Sequence, residues 1–401
     1  MMTTLPTRNS KGPIYLDNQA TTPTDPRVVE AMLPYFTEKF GNSHSNGHAF
    51  GWETADAVEE ARTKIATLIG AEQREIIFTS GATESNNLAI KGLAHFNRSR
   101  GNHLITTKID HKCVLECFRR LETEGFRVTY LDVNSDGLLD PERLAEAMED
   151  ETILVSVIGV HNEIGVVQPL ADIGALCRER NVHFHTDCAQ AVGKIGIDVN
   201  AMQIDLLSIS GHKMYGPMGV GALYIRRRPR VRLEPLFDGG GQERGYRSGT
   251  LPVPLCVGLG EAAELARLEM NDENARLTQL RDQLLAEIQT QVPDTQINGT
   301  MDHRIAGNLN LMFPHISGDD LVAGLKGLAI STGSACTSAS VEPSYVLRAM
   351  GLSDAEAAAS VRLGLGRFTS DEEIKKAGAL IVGEILNLRG AANPSNSASA
   401  A

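Results

Sequence analysis

A lysine that follows directly on Ser210-Gly211-His212 stands just past a short apolar strand, Asp205-Leu206-Leu207-Ser208-Ile209-Ser210, and before a Gly216-Pro217 turn. An amine there can form a Schiff base with a carbonyl compound when its surroundings lower its pKa. In open α/β sheets, ligands collect outside the carboxyl ends of strands. By itself Lys213 reads as a solvated turn residue. Its company changes that reading, because Thr83, His111, Asn162 and Asp187 also follow apolar strands.

Pyridoxal phosphate on Lys213 would ask for a carboxylate at its pyridine nitrogen, donors for its phosphate and a group against its ring face. Asp187 supplies the first, and Gln190, three residues on, reaches the phenolic oxygen. Gly81-Ala82-Thr83 opens a helix after a strand, where unpartnered backbone N–H groups favour an anion. Ser210 and His212 stand beside the lysine to assist. The alternative for Thr83 is a hydroxyl that caps its own helix. His111 suits the ring face and can move protons. The other distinctive residue is Cys336, set among Ser, Thr, Gly and Ala in Ser331–Ser340. A structural cysteine normally sits among apolar residues, so this setting suits a travelling nucleophile.

Other groupings read as structural. His183 and His185 lack a third metal ligand, Cys113 and Cys117 lie a helical turn apart as packing residues, and Cys188 reads as small apolar packing. Gly216-Pro217-Met218-Gly219-Val220-Gly221 lacks the dinucleotide spacing and the helix that must follow it. The run from Arg226 to Arg232 is a solvated loop.

The elements that must position these residues alternate as strand and helix: strands at 75–79, 104–107, 126–130, 152–158, 182–186, 205–210 and 221–225, with helices between most of them. Continuous apolar strands in βα repeats imply an α/β fold, a mostly parallel sheet covered on both faces. Asp25-Pro26 and Asp140-Pro141 start helices, and Pro34 should kink the first. Residues 237–250 form a flexible Gly-rich loop ending at Thr250, a candidate phosphate ligand. A charged helical stretch near 256–291 connects to a smaller α+β unit. We therefore expect a large domain over 14–260, a small domain over 261–390 joined by the arm 1–13, and a disordered tail over 391–401.

The 401 residues, 42% hydrophobic and 22% charged, suit an ordinary globular protein with room for two domains. A net charge of -12 argues against nucleic acid or an anionic membrane as partner. The absence of a long apolar run and of paired cysteines points to the cytoplasm.

Assembled, the motifs Phe78–Asn86, Asn162-Glu163-Ile164-Gly165, Ser210–Lys213, Arg247-Ser248-Gly249-Thr250 and Gly333–Ser338 make the chain resemble the cysteine desulfurases of iron–sulfur-cluster assembly, the NifS/IscS-like group of class V aminotransferases. The resemblance runs from Tyr15 to about residue 390. It implies a fold-type-I pyridoxal-phosphate homodimer with shared active sites, in which Lys213 anchors the cofactor and Asp187 and Gln190 hold its ring. Ala82, Thr83, Ser210 and His212 hold the phosphate, with Thr250 reaching it from the other subunit. His111 stacks on the ring and acts as acid or base. Asn162, also beside the cofactor, and Arg362 fix the carboxylate of L-cysteine, and Cys336 takes its sulfur as a persulfide, leaving alanine. The implied partners are an iron–sulfur scaffold protein and other sulfur acceptors, such as carriers for thiolated tRNA, with no direct nucleic-acid or membrane contact. The resemblance allows Cys336 as a ligand of a transient iron–sulfur cluster and implies no other metal site. The tail departs from the group's longer scaffold-docking ends. Selenocysteine lyase, or another lyase of this fold, is the alternative enzyme, and an idle sulfur-relay or scaffold protein is the alternative of another class.

Overall fold

A computed structural model describes residues 12–332 and 342–392. The expectations for Cys336, for the arm before residue 12 and for the tail after residue 392 therefore lie outside the described residues. Twelve strands are described: β1 (Ile14–Tyr15), β2 (Ile76–Thr79), β3 (His103–Thr107), β4 (Arg127–Leu131), β5 (Thr152–Ile158), β6 (His183–Asp187), β7 (Leu206–Ser210), β8 (Gly221–Ile225), β9 (Gln296–Ile297), β10 (Asn308–Met312), β11 (Leu328–Ala329) and β12 (Ser360–Gly364).

Seven of them make the main sheet, in the order β2-β8-β7-β6-β5-β3-β4. Only β8 runs against the rest: it pairs antiparallel with both β2 and β7, while the other pairs are parallel. Six strands therefore end on one edge. Alternate residues enter cores on opposite faces; Ile76 and Phe78 face one, Ile77 the other. That explains why these strands read as continuous apolar runs.

Three antiparallel strands, β12-β10-β9, and the parallel pair β1-β11 surround another core with Leu309, Leu311, Val361, Leu363 and Ile381. Ile14 and Leu16 pack into this core, so the first strand sits with the second unit. The connector forms one helix, Val253–Gln291, about 58 Å long at 1.5 Å per residue. Its stripe Cys256, Leu259, Ala263 faces the first core, and Leu277, Leu280, Leu284, Ile288 faces the second. The 3.6-residue period continues across both, so one helix serves as a rigid strut.

Local signals hold where chemistry dictates them. Asp25 and Asp140 cap helices that begin at Pro26 and Pro141, and the first of these breaks at Leu33-Pro34. Thr83 differs from its alternative reading: Gly81, at φ 142, is the N-cap of helix Ala82–Phe96, and no side chain caps it.

A buried ion pair braces the far end of β2. Arg62 donates to both carboxylate oxygens of Glu243, at 2.7 and 2.8 Å, and Glu243 also accepts the Phe78 N–H at 2.7 Å. The guanidinium lies 4.8 Å from the centre of the Phe78 ring. Removing Glu243 strips this buried guanidinium of its two-pronged partner and leaves it, among the described residues, only the carboxylate of the exposed Glu59, at 3.0 Å from Nε. Glu243→Ala should therefore cost about 3–5 kcal/mol of unfolding free energy, measured by urea denaturation. A loss below about 1 kcal/mol would mean the pair behaves as a surface one.

Candidate active site

The shared strand edge opens onto a cavity of about 540 Å³. Ala82, Thr83, His111, Asn162, Asp187, Gln190, Ser210, His212, Lys213 and Arg362 all line it. Thr250 does not: it is exposed, in a loop fastened where Arg247 Nε meets Glu84 Oε1 at 2.8 Å. Among the described residues no cluster could hold a metal ion. His185 is buried instead between the hydroxyls of Ser156 and Ser208.

Lys213 comes off β7 in a single tight turn, Gly211–Lys213. Its Nζ donates to the carbonyls of Gln19 and Ala20, both at 2.6 Å. His212 bonds Thr21 Oγ1 through Nδ1 at 3.0 Å, and its carbonyl accepts the Thr22 N–H and hydroxyl. Burial, helped by the Lys213 and Lys194 charges, pulls His212 down to about 4.

Asp187 closes β6. Its Oδ1 accepts the Ala189 N–H at 3.0 Å, and its Oδ2 accepts Asn86 Nδ2 at 2.7 Å. Asn86 therefore orients the carboxylate, a role that sequence reasoning left unassigned although the residue closes the Phe78–Asn86 motif. Gln190 is buried and donates Nε2 to the Gln19 carbonyl at 2.7 Å.

His111 N-caps the helix Lys112–Thr123, with Nδ1 accepting the Cys113 N–H at 3.2 Å and lying 3.0 Å from Cys113 Sγ. Because Nδ1 is an acceptor there, the neutral ring carries its proton on Nε2. Burial lowers the His111 pKa, against the opposing charge of Asp187. Cys113, read as packing, lines the cavity, and burial pushes its thiol up to about 12, so it stays protonated.

The second sheet supplies the remaining wall. Arg362, on β12, gives Nη2 to Asp17 at 2.6 Å and Nη1 to the Asn162 carbonyl at 3.0 Å, while its buried Nε has no hydrogen-bond partner among the described residues. Asn308 and Asn310 each donate to the Glu163 carbonyl at 3.2 Å, fixing the neighbouring Asn162.

These residues fit pyridoxal phosphate by three observations. At Gly81 a Cβ would meet no atom within 4 Å, so the uncapped helix start faces open space. Beneath it, a Cβ on Gly221 would come within 2.7 Å of the Gly81 Cα, so only glycine lets the turn settle there. The donor set joins a lysine, a hydrogen-bonded carboxylate and a hydroxyl-and-amide cradle, the three kinds of group the cofactor requires.

The fold and cavity together define a pyridoxal-phosphate-dependent α/β protein of fold type I. The family model for class-V aminotransferases matches residues 14–377, and the chain belongs to that family. It is 59% identical over 378 residues to the cysteine desulfurase IscS of Ehrlichia chaffeensis, covering 94% of this chain and 92% of that protein. Identity to the cysteine desulfurase IscS of Rickettsia bellii is also 59%, over 377 residues, with 94% and 92% covered. A solved NifS-like protein superposes with a TM-score of 0.87 at 36% identity, covering 94% of this chain and 99% of that chain. The structure of SspA in complex with cysteine gives a TM-score of 0.79 at 41% identity, covering 89% and 100%.

Glu163, next to Asn162, supplies a pH signature. Burial pushes its carboxyl up from 4.5 to about 7, against the Ser344 hydroxyl that donates to it at 2.6 Å. A raised folded pKa favours the protonated form, so this contribution to stability is full below pH 4.5 and is lost as pH rises to about 7. Relative to Glu163→Gln, which cannot ionise, the parent should lose unfolding free energy across that window in urea titrations. A constant difference would contradict the burial of this carboxyl.

Proposed function

We propose that this protein is a pyridoxal-phosphate-dependent cysteine desulfurase, converting L-cysteine to alanine and carrying the sulfur as a persulfide on Cys336 for iron–sulfur-cluster assembly and other sulfur acceptors. The observation that carries the reading is the convergence of five strand-end residues, Thr83, His111, Asn162, Asp187 and Lys213, on one cavity. Its close relatives named cysteine desulfurase and the solved SspA structure with cysteine agree with it.

Lys213 would anchor the cofactor, Asp187 would meet the pyridine nitrogen, and Gln190 the phenolic oxygen. The Ala82 and Thr83 N–H groups, Ser210 and His212 would receive the phosphate. When bound, the cofactor supplies an electron sink for charge released at the substrate α-carbon. Lys213 Nζ takes and returns the α-proton, and His111 Nε2 is the atom through which the imidazole exchanges protons. Arg362 attracts the substrate carboxylate. With one N–H of Nη1 and one of Nη2 engaged, Nε and the second hydrogens of Nη1 and Nη2 are the donors left for that carboxylate. The Cys336 thiolate forms an S–S bond to the substrate sulfur as the C–S bond breaks. The bonding pair stays with carbon, which is protonated to alanine.

The described residues on either side of the Cys336 segment are tied to this site. Ser331 exchanges backbone hydrogen bonds with Arg362, and Ser344 bonds Glu163. Two anchors on substrate-facing elements suit a nucleophile that must reach the same cavity.

A homodimer completes the reading. Leu33, Phe36, Phe40, Phe50 and Trp52 are 50–66% exposed, as is Met218, on the cavity wall, at 63%. Apolar side chains exposed in such number mark a partner surface. A second copy would cover them and bring its own Thr250, exposed here, to the phosphate. Among the described residues no helix is long and apolar enough to cross a membrane, in keeping with a cytoplasmic enzyme.

The loaded protein should release alanine from L-cysteine and hold a persulfide that alkylation and mass spectrometry place on Cys336. Cys336→Ser should hold none, and a persulfide on Cys113 instead would overturn the nucleophile. Arg362→Leu should lower kcat/KM for cysteine roughly 10- to 100-fold through the lost charged hydrogen bonds. An unchanged kcat/KM would remove Arg362 from the substrate site.

A further inference from the structure

Lys194 lies behind the cavity wall and has no part in the reading above. It follows Gln190 by four residues, one helical turn, in the turn that leads away from β6. Its Nζ donates to Gln190 Oε1 at 2.6 Å. Among the described residues no carboxylate pairs with this ammonium. Its backbone is pinned to the long helix, where Asn274 Nδ2 donates to the Lys194 carbonyl at 2.8 Å. Gly193, at φ 76, seats the turn tightly: a Cβ there would come within 3.2 Å of Ala266 and 3.3 Å of Met214.

The hydrogen bonds form a chain with one polarity. Lys194 donates to Gln190 Oε1, Gln190 Nε2 donates to the Gln19 carbonyl, and Lys213 Nζ donates to the same carbonyl. An ammonium can only donate and a carbonyl can only accept, so the Gln190 amide has one orientation. Its Nε2 keeps a second hydrogen, on a residue that lines the cavity. A flipped amide would set oxygen against oxygen at Gln19 and nitrogen against ammonium at Lys194.

We propose that Lys194 is a positioning residue for the cofactor site: it holds the Gln190 amide with its nitrogen toward the cavity, and its positive charge disfavours protonation of the nitrogen of Lys213. The proposal rests on the reading of the cavity as a pyridoxal-phosphate site. The charged and titratable groups around Lys194 are Lys213, His212 and Tyr215 from the segment after β7, Glu273 from the long helix, and Arg362 from β12. Burial and the Lys213 charge pull the Lys194 amine down to about 7, with Glu273 opposing. Two like charges repel, so while Lys194 is charged it disfavours charge on the nitrogen of Lys213. A cationic neighbour is one recognised way to keep a lysine nucleophilic.

The test compares the parent, Lys194→Met and Lys194→Arg as full-length protein. The readouts are the absorbance of bound pyridoxal phosphate against pH, the affinity of the apoprotein for pyridoxal phosphate, and thermal unfolding. In Lys194→Met the spectral midpoint should move to higher pH by roughly half to one unit, and affinity should fall roughly tenfold as Gln190 loses its orientation. Lys194→Arg keeps the donor and makes the charge permanent, so affinity should return to within about twofold of the parent's and the midpoint should lie below the parent's. If Lys194→Met fails to fold, Lys194→Arg decides: a spectral midpoint below the parent's supports the assignment, and identical titrations overturn it. A Lys194→Met protein with lowered thermal stability but unchanged midpoint and affinity also overturns it, reducing Lys194 to a structural plug. A parent that takes up no pyridoxal phosphate would instead refute the cavity assignment itself, and this proposal with it.

Discussion

The Lys213 ammonium, held by two backbone carbonyls at Gln19 and Ala20, is the contact on which the rest of the site depends. Those carbonyls belong to a loop that begins in the second core and ends against the first. The loop is fixed at its start by β1 pairing with β11, then by Asn18 bonding the Gly364 carbonyl at 2.8 Å and by Asp17 meeting Arg362. At its far end Thr22 and Asp25 accept and donate hydrogen bonds with His212 and Tyr215. The amine therefore has its geometry set by both units at once. The 39-residue helix that spans both cores keeps that relation rigid.

Around this amine the site gathers positive charge and limits its neutralisation. Lys194, His212 and Arg362 stand near Lys213, while Asp187 and Asp17 are tied into specific hydrogen bonds. Burial turns this crowding into depressed pKa values at His111, His212 and Lys194, because a charged form out of water is costly. With Lys213 and Arg362 on its wall, the pocket is nevertheless electrostatically suited to an anionic ligand. Its imidazoles remain neutral, and the His111 proton is assigned to Nε2 by the helix it caps. Arg362 reaches the cavity from β12, and the uncapped helix start at Ala82 reaches it from the first sheet.

Much of this was legible in the sequence, because a parallel strand buried on both faces is largely apolar and the polar residues at its end, or within a few positions past it, land on the cavity edge. Lys213, Asp187, Asn162 and His111 were readable on that ground. The carbonyls of Gln19 and Ala20 were not, since a backbone acceptor has no side-chain signature. Thr83 was ambiguous between cap and ligand until Gly81 took the cap position. Asn86 and Lys194 act through Asp187 and Gln190, and such pairings are set by tertiary packing. Ile14 and Leu16 precede the large sheet in sequence, yet strand pairing draws them into the second core.

Two amines, Lys213 and Lys194, lie within one hydrogen-bonded chain at this cavity, so which of them carries the cofactor decides how the site works. Borohydride reduction of the loaded protein, followed by peptide mass spectrometry, answers that directly. The pyridoxyl group should sit on the peptide containing Lys213, with the Lys194 peptide unmodified. A pyridoxyl group on Lys194, or on neither peptide in protein that has taken up the cofactor, would contradict that assignment.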